Sequence, residues 1–392
     1  NTNKHTTDLN TAAENSTITN YRRQILSNRG YLILSFQLFN QLFINVSGTG
    51  EAASTIKGNF YYPSIDAAWQ IGKLLNLKDL GITFMKLRAS WGQVGTQPGA
   101  YHFQNLAESG FTYSSYSDPL DIALFGGGFR LDNNRGTSDL KPEIKTEWDL
   151  GLDMRFLNDN LTLSLTYYHN KINDILINLG LTPSSGFDTQ YTNAASMQNK
   201  GFEGSLDYTI IHRKNWNIGV YGNFGLNRNK VLSLSGTNTI DLTGQSVSSR
   251  AIVGYPLGEL YGTGSQTDAN GKLILNANGF PQLTPGPIPL GDPNPKWQSG
   301  FGFRFNWKAI SLNILIQHSQ GGVFMPRTLW VLRRFGTTLE TANRITTTQD
   351  LVNYAGNVIP AGTTVRGSVA NFGGGPVLLD ETWYRTGIGG GF

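Results

Sequence analysis

The stretch "EIKTEWDLGLDMRF" (residues 143–156) decides the fold prediction, because its polarity alternates with a period of two residues. Apolar side chains occupy all but one of the even positions from Ile144 to Phe156. Acidic and basic side chains occupy all but one of the odd positions, beginning with Glu143. Successive side chains of a β-strand point to opposite faces of a sheet, so the stretch is predicted to be a strand with one apolar and one charged face.

The same alternation recurs in about ten segments of the chain. Examples are "MKLRASWG" (85–92), "LTLSLTYY" (161–168), "FEGSLDYTI" (202–210), "FGFRFNWK" (301–308) and "ISLNILIQ" (310–317). The strands of a soluble β-sandwich also alternate, because one face packs on a core and the other meets water. Several of the present segments are, however, long enough to reach the roughly 9 to 11 residues that a membrane-crossing β-strand needs.

The lengths of the connections between these segments favour a membrane barrel over a sandwich. Outer-membrane barrels alternate short turns on one side with long external loops on the other. Short connections are predicted at 39–41, 157–160, 211–214 and 308–309, and long ones at 96–142, 178–193, 233–296 and after 320. The connection at 73–82 is an exception, being moderate where a short one is expected. The predicted fold class is therefore all-β, a transmembrane antiparallel β-barrel with long extracellular loops.

Composition excludes several other classes of protein. Charged residues make up 15% of the chain, against roughly 25% in a soluble domain, and the basic residues are too scattered to indicate nucleic-acid binding. The absence of cysteine excludes disulfides and thiolate metal sites. No apolar run approaches the roughly 18 to 20 residues of a membrane-spanning helix. The five histidines show no zinc-binding spacing, and no catalytic residue, metal or cofactor is predicted.

In a barrel, the two faces of each strand meet different surroundings. Opposite charges on the wet inner face can pair across neighbouring strands. The residues predicted to face the lumen are Lys86, Arg88, Glu143, Lys145, Glu147, Asp149, Asp153 and Arg155. The residues predicted to face lipid are Ile144, Trp148, Leu150, Leu152, Met154 and Phe156.

Three other features have competing interpretations. The glycines of "SGTGEAA" (47–53) have the spacing of a dinucleotide-binding motif, but no helix is predicted after them, so a loop is favoured. In "DANGK" (268–272), a tight turn is favoured over a calcium loop because no glutamate stands at the required spacing. The aromatic residues of the long connections could stack on a ligand or simply pack within the loops; they are Tyr101, Phe103, Phe111, Tyr113, Tyr116, Trp330 and Trp383.

Several collinear stretches resemble a known family. They include "GNFYYPSIDAAW" (58–69), "MKLRASWGQVG" (85–95), "LKPEIKTEWDLGLDMRF" (140–156), "NAASMQNKGFEGSLDY" (193–208), "GDPNPKWQSGF" (291–301) and "LLDETWYRTG" (378–387). They are similar, in order, to the C-terminal half of the SusC/RagA-type TonB-dependent outer-membrane receptors of Bacteroidetes.

This resemblance implies part of a 22-stranded barrel in the outer membrane, with a plug domain, a SusD-like surface lipoprotein and energy from TonB-ExbB-ExbD. The implied activity is import of a glycan or oligopeptide. Residues 1–20 are expected to form a polar leader or loop segment, and residues 21–392 a partial barrel of about ten strands without the plug domain and the closing strands. A passive porin or barrel anchor, a barrel completed by a separate chain, and a soluble glycan-binding β protein or glycoside hydrolase stay open as alternatives.

Overall fold

The computed structural model describes residues 23–75, 77–109, 129–243 and 247–386. In these ranges the chain is mostly antiparallel β structure, which confirms the predicted all-β class. The segment 1–20, predicted as a polar leader or loop, lies outside the described residues.

Ten long strands follow one another across one sheet, so that each is hydrogen-bonded to its neighbours along the chain. They are β1 (Ser27–Leu38), β2 (Leu42–Ala53), β3 (Asn59–Trp69), β4 (Ile82–Thr96), β5 (Glu143–Phe156), β6 (Leu161–Gly180), β7 (Thr189–Arg213), β8 (Trp216–Leu234), β9 (Trp297–Trp307) and β10 (Ile310–Gln320). The two-residue strand Asn134–Arg135 also joins this sheet, parallel to β7.

The register of the strands follows from the alternation in the sequence. Leu152 of β5 lies opposite Leu87 of β4 and Leu165 of β6. The next residue, Asp153, lies opposite Lys86 and Ser164. A slip of one residue would place charged side chains among leucines, so the alternation in the sequence excludes that pairing.

The short turns have the left-handed backbone that tight hairpins need. Phe39 and Asn40, between β1 and β2, have φ values of 51° and 53°. Leu157, Asn158 and Asp159, between β5 and β6, also have positive φ. Such turns match the twist of the adjoining strands.

Several predicted connections differ from the structure; the short one predicted at 211–214, for example, covers only residues 214–215. The stretch 47–53, predicted as a loop, lies in β2, where Gly48 is opposite Leu32 of β1 and Pro63 of β3. Pairing along both edges outweighs the low strand propensity of its glycines. The connection predicted at 178–193 covers only 181–188, because Gly180 and Thr189 continue the β6–β7 ladder.

The chain divides into two compact units. The first comprises Asn1–Asn223 with Gly302–Ile314, and the second comprises Phe224–Phe301 with Leu315–Phe392. The first unit also contains the strand pair Ala107–Ser109 and Phe129–Leu131 and the 3-10 turns Ile71–Lys73, Lys78–Leu80 and Pro183–Ser185.

The long connections in the second unit are folded and have their own small elements. Four strands form one sheet in the order Thr239–Thr243, Val247–Ile252, Glu259–Gly262 and Ile288–Gly291. Three two-stranded pairs follow β10: Arg344–Thr346 with Thr364–Arg366, Leu351–Val352 with Val358–Ile359, and Ser368–Asn371 with Pro376–Leu379. The helices are α1 (Arg327–Arg334), α2 (Leu339–Ala342) and α3 (Glu381–Tyr384).

An aromatic cluster holds these loop elements together. Phe280 is fully buried and its ring centroid lies 5.4 Å from that of Trp383. Tyr354 and Phe372 pack against the same two rings. Rings in such tilted and edge-to-face contacts stabilise a small core beyond the area they bury.

Among the described helices, none is both long enough and apolar enough to cross a membrane.

Candidate functional site: the charged face of the sheet

The charged residues of β4 and β5 share one face of the sheet. Lys86 lies directly opposite Asp153, and Arg88 opposite Gly151, so these two basic residues are on the face of the odd positions of β5. The even positions of β5, including Trp148 and Leu150, are on the other face. The structure therefore separates the two predicted sets of residues, whereas their assignment to lumen and lipid stays a prediction.

Asp153 is the centre of a charge cluster on that face. The Lys86 Nζ atom lies 2.8 Å from its Oδ2 atom, and the Arg88 Nη2 atom donates a 3.1 Å hydrogen bond to its Oδ1 atom. The Ser164 hydroxyl on β6 donates a further bond of 2.8 Å to the same Oδ1. Arg88 also reaches Thr166 at 3.2 Å. Three neighbouring strands are thus joined through one carboxylate.

A second group of polar contacts crosses four strands next to this cluster. Ser90 of β4 donates a 2.9 Å hydrogen bond to Asp149 of β5. Asn170 of β6 donates a 2.9 Å bond to Glu147 of β5 and accepts a 3.0 Å bond from Asn199 of β7. Lys145 pairs with the same Glu147 carboxylate. Every carboxylate in this group therefore has a donor beside it.

Glu51 of β2 is the most deeply placed carboxylate on this face, with 1% of its side chain exposed. The Arg29 Nη2 atom on β1 lies 2.7 Å from Glu51 Oε1. The Tyr62 hydroxyl on β3 donates a 3.2 Å hydrogen bond to Oε2. Only the Glu51 side of the pair is buried, since the Arg29 side chain is 56% exposed, and removing Arg29 would leave the buried carboxylate without a cation. We infer that this trio fixes β1 and β3 on the two sides of β2.

The sequence prediction missed this trio and also the pair between Arg304 of β9 and Asp207 of β7. Arg304 Nη1 donates a 2.6 Å bond to Asp207 Oδ2 in a two-pronged contact. The alternation in "FEGSLDYTI" and "FGFRFNWK" already placed both residues on a polar face. Glu51 could not be found in this way, because its stretch was predicted to be a loop.

Three glycines leave room for tyrosine rings on the strands beside them. Gly201 of β7 lies opposite Tyr168 of β6, and a Cβ atom at this glycine would lie 2.1 Å from the tyrosine Cζ. A Cβ atom at Gly302 would likewise lie 2.1 Å from the Tyr221 Cζ, and one at Gly95 would lie 2.2 Å from the Tyr62 Cζ. Each ring occupies the space that a side chain at its glycine would fill.

A shallow cavity of about 400 Å³ opens on the charged face. Its polar lining comes from Ser64, Ser90, Gln93, Lys145 and Glu147, among other residues. Hydroxyl, amide and charged groups together can bind many polar solutes weakly. Ile65, Trp91 and Val94 also line the cavity, but apolar residues are a minority of its lining, unlike in a tight small-molecule pocket.

The opposite face carries the apolar residues of β5, of which Trp148 and Leu150 are exposed and Ile144, Leu152, Met154 and Phe156 are half-buried. Leu150 is 53% exposed and Trp148 is 37% exposed. Soluble proteins rarely leave such side chains uncovered over a continuous area. Apolar side chains are also exposed on one face of β10, at Ile310, Leu312, Ile314 and Ile316, while Leu315 lies on its other face.

No three histidine or carboxylate side chains converge within the ranges the structure describes. In "DANGK", Asp268 Oδ1 accepts hydrogen bonds from the backbone N–H groups of Asn270 and Lys272, at 2.8 and 2.9 Å. This confirms the predicted turn.

The aromatic residues of the long connections have different surroundings. Trp383 is 2% exposed within the aromatic cluster, so it packs inside the loops and cannot stack on a ligand. Trp330 is stacked by the Arg334 guanidinium at 5.3 Å. Tyr101 and Phe103 are half-buried. Phe111, Tyr113 and Tyr116 lie outside the described residues.

Comparison with known proteins identifies similar chains. A family profile described as "TonB dependent receptor-like, beta-barrel" matches residues 1–372. The TonB-dependent receptor P3 of Formosa agariphila is 27% identical over 297 residues, which are 69% of this chain and 29% of the relative. The TonB-dependent receptor SusC of Bacteroides thetaiotaomicron is 27% identical over 269 residues, which are 62% of this chain and 25% of the relative. The chain thus spans less than a third of the length of these curated relatives.

A solved structure of the RagAB peptide transporter has a similar fold. The match has a TM-score of 0.66 at 21% sequence identity and covers 79% of this chain and 35% of the other. At this identity the similarity concerns the fold alone.

Proposed function

This chain belongs to the TonB-dependent receptor-like β-barrel family, and on that premise we propose that it is a barrel portion of an outer-membrane importer for a nutrient polymer. The cargo would be a glycan or an oligopeptide. The observation that carries the proposal is the ten-strand meander with one exposed apolar face and one face of paired charges. Such a sheet suits lipid on one side and water on the other.

In this proposal the face of Lys86, Arg88 and Asp153 lines the lumen, and the face of Trp148 and Leu150 meets lipid. Cross-strand ion pairs would keep the wall of the lumen rigid while leaving it wet. The remaining hydroxyl and amide groups would contact a plug domain or a passing solute. The long folded connections would lie on the outer side of the membrane, where cargo arrives.

The proposed assembly includes parts from beyond this chain. Residues 21–392 would form part of a larger barrel, whose further strands would adjoin β1 and β10. Transport would need a plug domain that reaches TonB-ExbB-ExbD and a SusD-like lipoprotein over the outer opening. Support for the lipoprotein comes from the similarity to the SusC receptor.

A chemical reaction is not part of the proposal. The family is one of transport receptors, and the carboxylates Glu51, Glu147, Asp149 and Asp153 all accept hydrogen bonds from neighbouring side chains. A glycosidase needs one carboxylic acid and one carboxylate facing an open cleft. In this proposal these carboxylates stabilise the pairing of neighbouring strands.

The proposal is tested by deleting the full-length gene in its native host and measuring uptake of labelled oligosaccharides and oligopeptides. We expect loss of uptake of one class of polymer, restored by the wild-type gene. Restored uptake should also stop when the proton gradient of the inner membrane is collapsed. Uptake that persists without the gradient would instead indicate a passive porin.

A further inference from the structure

A cavity of about 730 Å³ lies among the elements that follow β10, within the second unit. The end of α1, the strand Thr364–Arg366 and helix α3 form its walls. Its lining includes four arginines, Arg333, Arg334, Arg366 and Arg385, against two carboxylates, Asp380 and Glu381. The volume is in the range of sites that enclose a small organic ligand.

Two of the four arginines are neutralised by carboxylates. Arg333 forms a two-pronged contact with Glu340, with N–O distances of 3.0 and 3.2 Å. Arg385 Nη2 lies 3.1 Å from Glu381 Oε1, one helical turn away. These pairs leave little charge to attract a ligand.

Within the part of the chain that the structure describes, the charges of the other two arginines, Arg366 and Arg334, are not balanced by an ion pair. Arg366 Nη2 donates a 2.6 Å hydrogen bond to the Gly336 carbonyl, and its Nε donates to the Thr341 carbonyl. These bonds hold the guanidinium in place without neutralising it. Arg334 is stacked on Trp330, which also leaves its charge intact. Within the described ranges, neither arginine forms an ion pair with a carboxylate.

The nearby carboxylate Asp380 is occupied by the local fold. Its Oδ1 atom accepts a 2.9 Å hydrogen bond from the Thr382 backbone N–H at the start of α3, and its Oδ2 atom accepts a 2.8 Å bond from Asn353. An aromatic surface adjoins the guanidinium groups, because Phe335 lines the same cavity and is 77% exposed. An exposed phenylalanine ring beside fixed positive charge can contact the apolar face of a sugar ring.

We propose that this cavity binds an acidic sugar unit, carrying a carboxylate or sulfate group, within the polymer that the receptor imports. The guanidinium groups of Arg334 and Arg366 would bind the oxyanion, since planar N–H donors match such groups with two parallel hydrogen bonds. Phe335 would pack on the ring, and Glu381 could accept hydrogen bonds from its hydroxyl groups. The inference rests on the proposed import function and narrows its cargo to anionic glycans.

The test measures binding to the full-length receptor in detergent by isothermal titration calorimetry. The probes are an oligogalacturonate hexamer, a sulfated hexasaccharide, neutral maltohexaose and hexaglutamate. We expect binding of at least one of the two acidic sugars, weakened by added salt, and none of maltohexaose or hexaglutamate. The two acidic probes distinguish a carboxylate from a sulfate as the recognised group.

Variants assign that binding to the cavity. R334Q and R366Q should each lower the affinity for the acidic sugar by about tenfold, the usual effect of losing a hydrogen bond to a charged group. R366K keeps the charge and should retain more affinity than R366Q. The matched control is R327Q, which removes one positive charge from the first residue of the same helix, outside the cavity lining. Unchanged thermal midpoints show that each variant folds.

The inference would be overturned if R334Q and R327Q bound the acidic sugar with equal affinity. It would also be overturned if the receptor preferred hexaglutamate to the acidic sugars, or bound maltohexaose as tightly as them. Its failure is distinguishable from failure of the import proposal. Energy-dependent uptake of a neutral polymer would leave import standing and reject the acidic subsite. Specific binding of an acidic sugar without uptake would support the acidic subsite and reject the import proposal.

Discussion

At the scale of single residues, glycines determine how closely aromatic rings approach the sheet. Gly201→Ala would place a methyl group within the ring of Tyr168, 2.1 Å from its Cζ atom. The ring or the backbone must move, and we expect a loss of about 1 to 3 kcal/mol, the usual cost of overpacking. The measurement is the unfolding free energy of the full-length receptor in detergent.

The matched control for this change is Gly48→Ala, because a methyl group there has no atom within 4 Å. Removing the ring with Tyr168→Ala should make the additional Gly201→Ala substitution nearly neutral, as expected of two residues in contact. Equal losses at Gly201 and Gly48 would show that the ring is not held over the glycine.

Glu259 gives a second prediction at this scale. It is 4% exposed on a loop strand, and burial raises the pKa of its carboxyl group, with a further rise from the charge of Asp292 and a smaller opposing effect of the Gly291 N–H group. A carboxyl group whose pKa is raised on folding stabilises the fold at low pH. That contribution is lost as the pH rises through the folded pKa.

Glu259→Gln should therefore raise the thermal midpoint at pH 7. The gain should vanish below the ordinary pKa of glutamate, about 4.3. Calorimetry from pH 4 to 8 checks this, with the exposed Asp139→Asn as control. A midpoint that responds to pH in the same way in wild type and Glu259→Gln would contradict the assignment.

At the scale of elements, β5 has two faces that differ in what they tolerate. If Trp148 and Leu150 meet lipid near the middle of the membrane, Trp148→Lys or Leu150→Lys should cost roughly 2 to 4 kcal/mol. Asp149 lies between them on the other face, and Asp149→Asn removes a charge but keeps an oxygen that can accept the hydrogen bond from Ser90, so its cost should be far smaller. The folding free energies of these variants are measured by refolding into lipid vesicles. Similar costs on the two faces would contradict the proposed orientation.

Strands such as β5 could be predicted from sequence because polar and apolar residues alternate along each of them with a period of two. The pattern also assigns the residues of each strand to two faces, with Asp153 on one and Leu152 on the other, whereas the register is seen only in the structure. The strand at 47–53 was missed because its glycines carry no side-chain pattern, and only pairing with β1 and β3 identifies it. The arginine cavity could not be foreseen either, because Arg334 and Arg366 are brought together by loop folding between residues far apart in sequence.

At the scale of the whole molecule, the exposed apolar face requires something to cover it. Leucine and isoleucine side chains remain exposed on β1, β5 and β10, including Leu32, Leu150 and Ile316. In water, an apolar area of this kind would drive association, whereas hydrocarbon would cover it at no cost. We therefore expect the full-length protein to stay with the outer-membrane fraction after a carbonate wash and to need detergent for release.

The control for this experiment is a soluble periplasmic protein from the same cells, which the wash should remove completely. Once released, the receptor should stay monodisperse in detergent and aggregate when the detergent is withdrawn, since the face of Trp148 and Leu150 is then left to water. Replacing the detergent with lipid vesicles should restore the folded state, because hydrocarbon covers the same face. A folded monomer that persists in plain buffer would show that another part of the protein covers this face, and the membrane assignment would fail with it.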